Sequence, residues 1–380
     1  MDKREFLRKG IMGFGGLTCT LCHYNSFAAG AGWLLSPSQP PKLWKWSREA
    51  IHYTITPRGV KCLNCPNECT LKRGETSKCR NRINVEDKLF TIAYGNPCAV
   101  HVDPIEKKPM LHFMPGSTVF SIATAGCNLA CLNCQNWEIS QSSPKKTENY
   151  DLMPARVVEE CLANNCKAIA YTYSEPTTFY EYVHDTARLA REQKILNVYK
   201  SSGYINQKPL RQLCQYIDAA NIDLKSFSDR IYISLNSGKL QPVLDSLLVL
   251  KSEGIWLEIT NLVIPGYTDD MGMITRMCNW LVKNNLDECP LHFSRFTPLY
   301  KLTQLPATPV STLVQARKTA MDAGMKFVYI GNVPGTDFEN TYCPACKKLV
   351  VERKGFRVLQ QHLSGSACAY CGAKIAGRWS

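Results

Sequence analysis

The sequence lacks three patterns, and each absence argues against a class of function. The apolar run over residues 11–21 is too short to cross a bilayer as a helix, so we expect no stable membrane span. Neither a Gly-rich phosphate-binding loop nor a serine–histidine triad appears, which argues against the chemistry that those motifs carry. The basic runs contain no regularly interleaved aromatic residues, so no nucleic-acid partner is expected.

What is abundant is cysteine, in an otherwise ordinary globular composition. Hydrophobic residues make up 45% and charged residues 20% of 380 positions, enough to build a sizeable core. Most of the 19 cysteines fall in C-x2-C pairs or in one triad, and in so long a chain that arrangement indicates metal sites and not disulfides. Buried structural thiols are the expectation for the scattered ones, Cys98, Cys161, Cys166, Cys214, Cys278 and Cys289.

The chain is basic, with 45 Lys and Arg against 32 Asp and Glu and a net charge of +13. Basic runs lie at residues 72–82 and 347–357. One explanation of this charge is a solvated basic face. The other is a docking surface for an acidic electron donor, since opposite charges speed encounter.

The triad is Cys127, Cys131 and Cys134, spaced C-x3-C-x2-C directly after an apolar, β-branched run at 119–123. Iron–sulfur cubes normally take four thiolates, so three close ligands would leave one iron open to bind a substrate. The alternative is one face of a helix with three core cysteines. Gly126 and Asn128 favour a wrapping loop.

This motif, with its flanks TAGCN and CQNWEIS, resembles the signature of the radical S-adenosylmethionine (SAM) enzymes. It is most similar to the AmmeMemoRadiSam-type proteins, relatives of the pyruvate formate-lyase-activating enzymes. The resemblance extends from about residue 61 to the end through blocks such as CLNCPNEC, HVDPIEKKPMLHFMPG, YTYSEPT, LVIPGYTDD and YIGNVPG. One departure is Asn133, where many relatives carry an aromatic residue near the adenine.

Strand and helix patterns alternate from residue 117 to about 330, which predicts parallel βαβ units. The predicted strands are 119–123, 167–173, 195–199, 221–224, 256–264, 291–296 and 326–330, and the predicted helices are 155–164, 178–193, 208–216, 242–253, 271–284 and 311–323. The resemblance implies an α/β fold with a partial TIM-like (β/α)6 barrel, whose chemistry collects at the strand ends.

The resemblance also implies a SAM site at those ends. Ser174 and Glu175 in YSEP stand in place of the family segment that holds the methionine amine, and Asp223 and Lys225 match a pair that contacts SAM. Lys200 falls in a turn associated with ribose contacts. The plain alternative for a strand-end carboxylate is a helix cap.

Two further cysteine sets have metal-ligand spacing. The first set comprises Cys62, Cys65, Cys69 and Cys79. Its spacing suits zinc or a second cluster, and reduced structural thiols are the alternative. The second set consists of two C-x2-C pairs, Cys343, Cys346, Cys368 and Cys371. These pairs predict a zinc-ribbon-like module that covers the barrel edge, and rubredoxin-like iron is the alternative metal.

We divide the chain into a signal segment (1–35), a linker (36–60), a Cys-rich N-terminal domain (61–116), the barrel (117–335) and the zinc-ribbon-like tail (336–380). KREFLRK resembles a twin-arginine signal with Lys3 in place of the first arginine, so export is favoured over a cytoplasmic location. An amphipathic helix on a cytoplasmic enzyme is the alternative. The stretch DPIEKKPMLHFMPG at 103–116 is expected to lie over the barrel mouth.

The resemblance therefore implies a radical SAM oxidoreductase. Such an enzyme reductively cleaves SAM at a [4Fe–4S] cluster to a 5′-deoxyadenosyl radical, which abstracts hydrogen from a substrate. A glycyl-radical protein is one candidate substrate, and flavodoxin or ferredoxin is the expected type of electron donor. The alternatives are an iron–sulfur electron-transfer protein, which would need no acid and lysine at strand ends, and a metal-stapled binding module.

Overall fold

The structure is a computed structural model that describes residues 43–380. The predicted signal segment, the start of the predicted linker and the thiols of Cys19 and Cys22 lie outside the described residues. Within them, none of the helices has the length and apolar character that a membrane crossing requires.

One large sheet organises the chain. Seven strands, β8 to β14, run parallel in chain order, and β7 pairs antiparallel with β8 at one edge. Their bounds are β7 Ala99–Pro104, β8 Thr118–Ala123, β9 Ala168–Tyr171, β10 Leu196–Ser201, β11 Ala219–Asp223, β12 Trp256–Val263, β13 Leu291–Arg295 and β14 Val328–Gly331. The parallel strands are buried nearly throughout, as expected where both faces of a sheet are covered.

Helices follow the parallel strands and cover the outside of the sheet. They are α1 Trp137–Ser140, α2 Pro154–Ala163, α3 Tyr180–Glu192, α4 Gln207–Cys214, α5 Asp229–Ile231, α6 Gln241–Ser252, α7 Met271–Lys283 and α8 Val310–Asp322. The start of α7 follows its sequence, because Asp270 accepts hydrogen bonds from Gly272 N at 2.9 Å and Met273 N at 3.1 Å. Six βα units and a seventh strand confirm the predicted partial barrel.

The N-terminal part forms two small antiparallel sheets. One has the order β2-β3-β4 and the other β1-β6-β5. Their bounds are β1 Arg48–Glu49, β2 Tyr53–Thr56, β3 Gly59–Cys62, β4 Thr70–Leu71, β5 Arg82–Val85 and β6 Lys88–Thr91. The first two strands fall inside the predicted linker 36–60, so its described part includes regular structure.

The stretch 103–116 lies at the opposite end of the barrel from the predicted one. Ile105, Met110 and Phe113 are buried against side chains from the early residues of β8 to β11, such as Val119 and Ala168. The expectation that this stretch covers the mouth was therefore wrong. Its apolar side chains fill the barrel bottom, and its prolines keep it from forming long regular structure.

The tail forms short antiparallel strands, namely β15 Thr341–Tyr342, β16 Leu349–Lys354, β17 Arg357–Gln361, β18 Leu363–Ser364 and β19 Ala367–Cys368. Arg353 of β16 is 3% exposed and donates to the Leu111 carbonyl at 2.6 Å. Leu111, Phe327 and Tyr329 pack with the buried tail cysteines in one apolar cluster. The tail thus contacts the barrel bottom.

Candidate metal centre at the strand ends

The three cysteines of the triad lie on a loop directly after β8. Gly126 begins this loop with a φ of +100°, a conformation that favours glycine. Its N–H donates to the Ile139 carbonyl at 2.9 Å, so α1 closes the loop. A Cβ at this position would lie 2.6 Å from the Cys79 carbonyl oxygen. Glycine is required here because the N-terminal part packs directly on the loop.

N–H groups are aimed at two of the three sulfur atoms. Asn236 Nδ2 donates to Cys131 Sγ at 3.2 Å, and the Leu129 amide donates to Cys127 Sγ at 3.4 Å. The backbone is fixed from the same side, because Asn236 O accepts from Ala130 N at 3.0 Å. Asn236 ends a π-helical turn, Tyr232–Asn236, so an irregular segment supplies this support.

Burial raises the pKa of the Cys127 and Cys131 thiols, while Lys225 and Asn236 oppose that shift at Cys131. A metal that binds a buried thiol displaces its proton, and a nearby cation and N–H donors then stabilise the thiolate. The residues therefore fit the iron–sulfur cluster that the spacing predicts. The three thiols are the groups that would hold it, and the charge of Lys225 acts on Cys131.

A charged group lies next to this loop at the ends of β10 and β11. Asp223 accepts from Lys225 Nζ at 2.9 Å and from Lys200 Nζ, and Lys200 also donates to Asn221 Oδ1 at 2.7 Å. Burial opposes ionisation of Asp223, but the two lysines outweigh it and hold its pKa well below the usual range. All three side chains keep 17–28% of their surface exposed, so the group is reachable.

Glu175 is placed near Cys127 but is already fully engaged. It is 2% exposed, and its carboxylate accepts from Thr177 N at 3.1 Å, Ser201 Oγ at 2.7 Å and Ser202 N at 2.9 Å. These bonds tie the end of β9 to the end of β10. Ser174, partly exposed beside it, donates to the Thr124 carbonyl at 2.7 Å and so fixes the same turn to β8.

Sequence reasoning missed two groups of residues near this site. One is Asn236, for which no spacing signal exists because it lies far along the chain from the cysteines. The other is a buried set under the mouth, in which Asp103 binds Lys108 Nζ at 2.6 Å and the Tyr173 hydroxyl. Burial lowers the pKa of Lys108 to about 8. The motif HVDPIEKKPM contains two of these residues and could have indicated them.

The other two cysteine sets are each brought together. In the tail, Cys343 Sγ lies 3.6 Å from Cys371 Sγ, Cys346 Sγ lies 3.8 Å from Cys368 Sγ, and all four sulfurs are within 4.8 Å of one another. In the N-terminal part, a single cavity is lined by Cys62, Cys65, Cys69 and Cys79.

The fold and the loop together define a class of protein, a partial parallel barrel with a three-cysteine loop at its strand ends. The family model of the radical SAM superfamily matches residues 121–278, from β8 into α7. An uncharacterized protein of Methanocaldococcus jannaschii is 43% identical over 331 residues, which are 86% of this chain and 98% of that protein. The chain belongs to the radical SAM superfamily. Membership implies SAM and a [4Fe–4S] cluster as cofactors.

The solved structures that resemble this chain share little sequence identity with it. A domain of a pyruvate-formate lyase-activating enzyme from Bacteroides vulgatus is 14% identical with a TM-score of 0.37, over 43% of this chain and 99% of that one. A radical SAM methyltransferase from Sphaerobacter thermophilus is 16% identical with a TM-score of 0.46, over 62% and 71%. Streptococcus suis SuiB bound to SAM is 14% identical with a TM-score of 0.46, over 60% and 53%. The assignment rests on the family model and the Methanocaldococcus relative.

Proposed function

We propose that this radical SAM protein is an oxidoreductase that abstracts a hydrogen atom from a substrate with a 5′-deoxyadenosyl radical. The observation that carries the proposal is the joint placement of the three-cysteine loop and the Lys200–Asp223–Lys225 group at the strand ends. An electron-transfer protein would need the cysteines but not the charged group.

The residues of the chain would divide the work as follows. Cys127, Cys131 and Cys134 would hold the [4Fe–4S] cluster, which when bound supplies the electron that cleaves SAM and leaves one iron open for SAM. Asp223 and its two lysines are partly exposed and would bind polar groups of SAM. Glu175 has both oxygens occupied by Thr177, Ser201 and Ser202, so its support for the site would come through the turns that it joins.

The substrate and the electron donor are further parts of the proposal. The motifs resemble those of the activating enzymes, which makes a glycine residue of a partner protein one candidate substrate. A flavodoxin or a ferredoxin is the expected donor, and the basic surface favours a carrier with an acidic face.

The test is Cys131→Ala in anaerobically purified protein, with 5′-deoxyadenosine measured by chromatography after addition of SAM and a strong reductant. We expect product formation to be abolished while metal stays bound at the other two cysteine sites, because two thiolates do not retain the cube. Cys98→Ala, at a thiol outside all three sites, is the matched control and should keep forming product. If the Cys131→Ala protein makes as much 5′-deoxyadenosine as wild type, the triad is not the catalytic cluster site.

A further inference from the structure

The N-terminal cysteine set lies against the loop that carries the triad, and the residues around the set indicate what it binds. We propose that Cys62, Cys65, Cys69 and Cys79 hold a second iron–sulfur cluster, which passes electrons from an acidic one-electron carrier to the cluster on the triad. This inference rests on the proposed function for the direction of electron flow, but the second cluster itself can be tested independently.

A buried arginine without enough partners lines the cavity formed by the four cysteines. Arg82 is 1% exposed, and its Nη1 donates to Glu181 at 2.7 Å. Its Nε and Nη2 are buried and have no hydrogen-bond partner among the described residues. Unpaired buried N–H groups are costly, so Arg82 favours an acceptor inside the cavity. Two other unpaired atoms of the lining, Asn64 Oδ1 and Asn128 Oδ1, are acceptors themselves. A metal centre with four thiolates is anionic, and its sulfur atoms accept such hydrogen bonds.

The spacing of the sulfur atoms distinguishes this set from the tail. A single tetrahedral ion with metal–sulfur bonds of about 2.3 Å holds its ligands roughly 3.8 Å apart. The tail sulfurs meet that requirement at 3.6 and 3.8 Å, and within residues 43–380 they form the one group of three or more ligand atoms all within 4.8 Å. The N-terminal sulfurs line one cavity, but no three of them lie within 4.8 Å of one another. A cluster with several irons suits it better than zinc does.

The cavity and the triad are separated by a single layer of chain. Asn128, which directly follows Cys127, lines the cavity, and its carbonyl accepts from Asn67 Nδ2 at 2.7 Å. Cys79, which also lines the cavity, has its carbonyl oxygen 2.6 Å from where a Cβ on Gly126 would lie. Two clusters placed here would be close enough for rapid electron transfer and for their unpaired spins to interact.

The exposed segment between Cys69 and Cys79 is basic on balance. It carries Lys72, Arg73 and Lys78 against Glu75, and Arg73 pairs with Asp87. An acidic carrier would meet this face, since complementary charge steers encounter. The carrier would lose one electron, and the second cluster would pass it to the cluster on the triad, which would supply it to the SAM sulfonium. The carbon–sulfur bond would then break to give methionine and the 5′-deoxyadenosyl radical.

The first experiment counts metal in the full chain with the triad removed, as Cys127→Ala/Cys131→Ala/Cys134→Ala. After anaerobic reconstitution with iron and sulfide, we expect at least two irons and two sulfides per chain and a visible iron–sulfur absorption. Adding Cys65→Ser and Cys69→Ser, the more exposed pair, should remove both. A triad variant that binds no sulfide overturns the proposal, whether it carries only the one zinc expected in the tail or a second zinc as well.

The second experiment uses electron paramagnetic resonance of the reduced protein. Wild type should show a spectrum broadened by spin–spin interaction, which the sum of the spectra of the triad variant and the Cys65→Ser/Cys69→Ser variant does not reproduce. Arg82→Lys keeps the charge but removes N–H donors, so it should lower the reduction potential of the second cluster. Arg80→Lys, where the guanidinium instead donates to Gln141 at 3.2 Å, is the matched control. Equal potentials in the Arg82→Lys protein and wild type, or additive spectra, contradict the assignment.

The third experiment tests the relay. In the Cys65→Ser/Cys69→Ser protein, we expect at least a tenfold fall in the ratio of flavodoxin-driven to dithionite-driven 5′-deoxyadenosine formation. An unchanged ratio overturns the relay. If wild type forms no 5′-deoxyadenosine with either reductant, the proposed function fails, whereas the metal count still decides whether the second cluster exists.

Discussion

Asp223 is the residue whose side chain is expected to act most directly on SAM. Asp223→Asn removes the negative charge that Lys200 and Lys225 share, while the cysteine ligands stay in place. We expect weaker SAM binding, by at least about tenfold, or roughly 1.4 kcal/mol, and an unchanged visible spectrum of the cluster. Equilibrium dialysis with labelled SAM measures the first effect.

The matched control for Asp223→Asn is Asp245→Asn, at a side chain that contacts Gln241 on the outer surface of α6. It makes the same change of charge away from the strand ends and should leave SAM binding unaltered. Equal SAM affinities for the Asp223→Asn and wild-type proteins would show that the charged group does not contact SAM.

At Gly126, one added methyl group should disturb the packing of the N-terminal part on the cysteine loop. In Gly126→Ala, the new Cβ would lie 2.3 Å from Asn81 Oδ1 and 2.6 Å from the Cys79 carbonyl oxygen, at a φ of +100°. Strain and overlap together should cost about 2 to 4 kcal/mol. Gly74→Ala is the control, because its φ is also positive but no atom lies within 4 Å. A fall in melting temperature no larger than that of Gly74→Ala would contradict close packing on the loop.

Single residues also show where the sequence could not predict the site. YSEP and the IDLK segment that holds Asp223 and Lys225 indicated a charged strand-end site, because type and order of residues are visible in a sequence. Ser201 and Ser202 donate to the Glu175 carboxylate because of the register between β9 and β10, which the sequence does not reveal. Asn236 reaches Cys131 from a distant irregular turn, and no pattern indicates such a contact.

At the scale of elements, the order of strands and helices in the barrel could be predicted almost completely. Buried parallel strands are continuous apolar runs, and the helices between them have apolar residues at helical spacing, so the two alternate clearly. The predicted strand 291–296 is observed as Leu291–Arg295, and the predicted helix 271–284 as Met271–Lys283.

The irregular stretch 103–116 shows why the remainder was harder. Its prolines and lysines predicted an irregular stretch over the barrel mouth, yet Met110 and Phe113 are buried at the barrel bottom. A stretch without period gives no indication of which end of a barrel it reaches. Its contacts are set by Glu258 on β12, which accepts from the Leu111 and His112 amides at 3.0 and 2.8 Å.

The tail is the element for which we predict a purely structural metal. Four thiolates with sulfur pairs 3.6 and 3.8 Å apart suit zinc, which has no redox chemistry and adds folding energy directly. We expect one zinc per chain to remain after air destroys the clusters. Metal analysis of air-exposed protein is the check, and zinc-free protein with an intact fold would contradict it.

Loss of the tail should expose the barrel bottom. A chain ending at Gly335 lacks Arg353 and uncovers the cluster around Leu111 and Phe327, so we expect it to be insoluble. The soluble fraction after lysis measures this. Leu359→Ser, at an exposed tail position, should stay soluble. A soluble, fully active truncate would show that the tail is dispensable.

For the whole molecule, His112 should make stability depend on acid pH. Burial lowers its pKa to about 4, and its Nδ1–H donates to Ala376 O at 2.6 Å. An unfolded histidine binds a proton near pH 6.5, so between pH 6.5 and 4 the unfolded state holds more protons. The free energy of unfolding should therefore fall as pH falls through this window, by up to roughly 3 kcal/mol.

The comparison that isolates His112 is between wild type and His112→Gln, by urea unfolding at several pH values. The variant should be less stable at pH 7 but lose less stability between pH 6.5 and 4, because one titrating group is gone. His362→Gln, at a partly exposed tail histidine, is the control and should keep the wild-type pH dependence. Parallel pH profiles for the His112→Gln and wild-type proteins would contradict the assignment.

The hydrogen bond from Arg353 to the Leu111 carbonyl joins residues 242 positions apart, and it has a consequence for how the chain matures on the ribosome. The cysteine loop and β8 to β11 emerge long before Arg353 does. The apolar cluster around Leu111 stays without its cover until translation is nearly complete, and such distant contacts form slowly. We therefore expect a nascent chain to acquire metal at its strand ends while its barrel bottom is still exposed to chaperones.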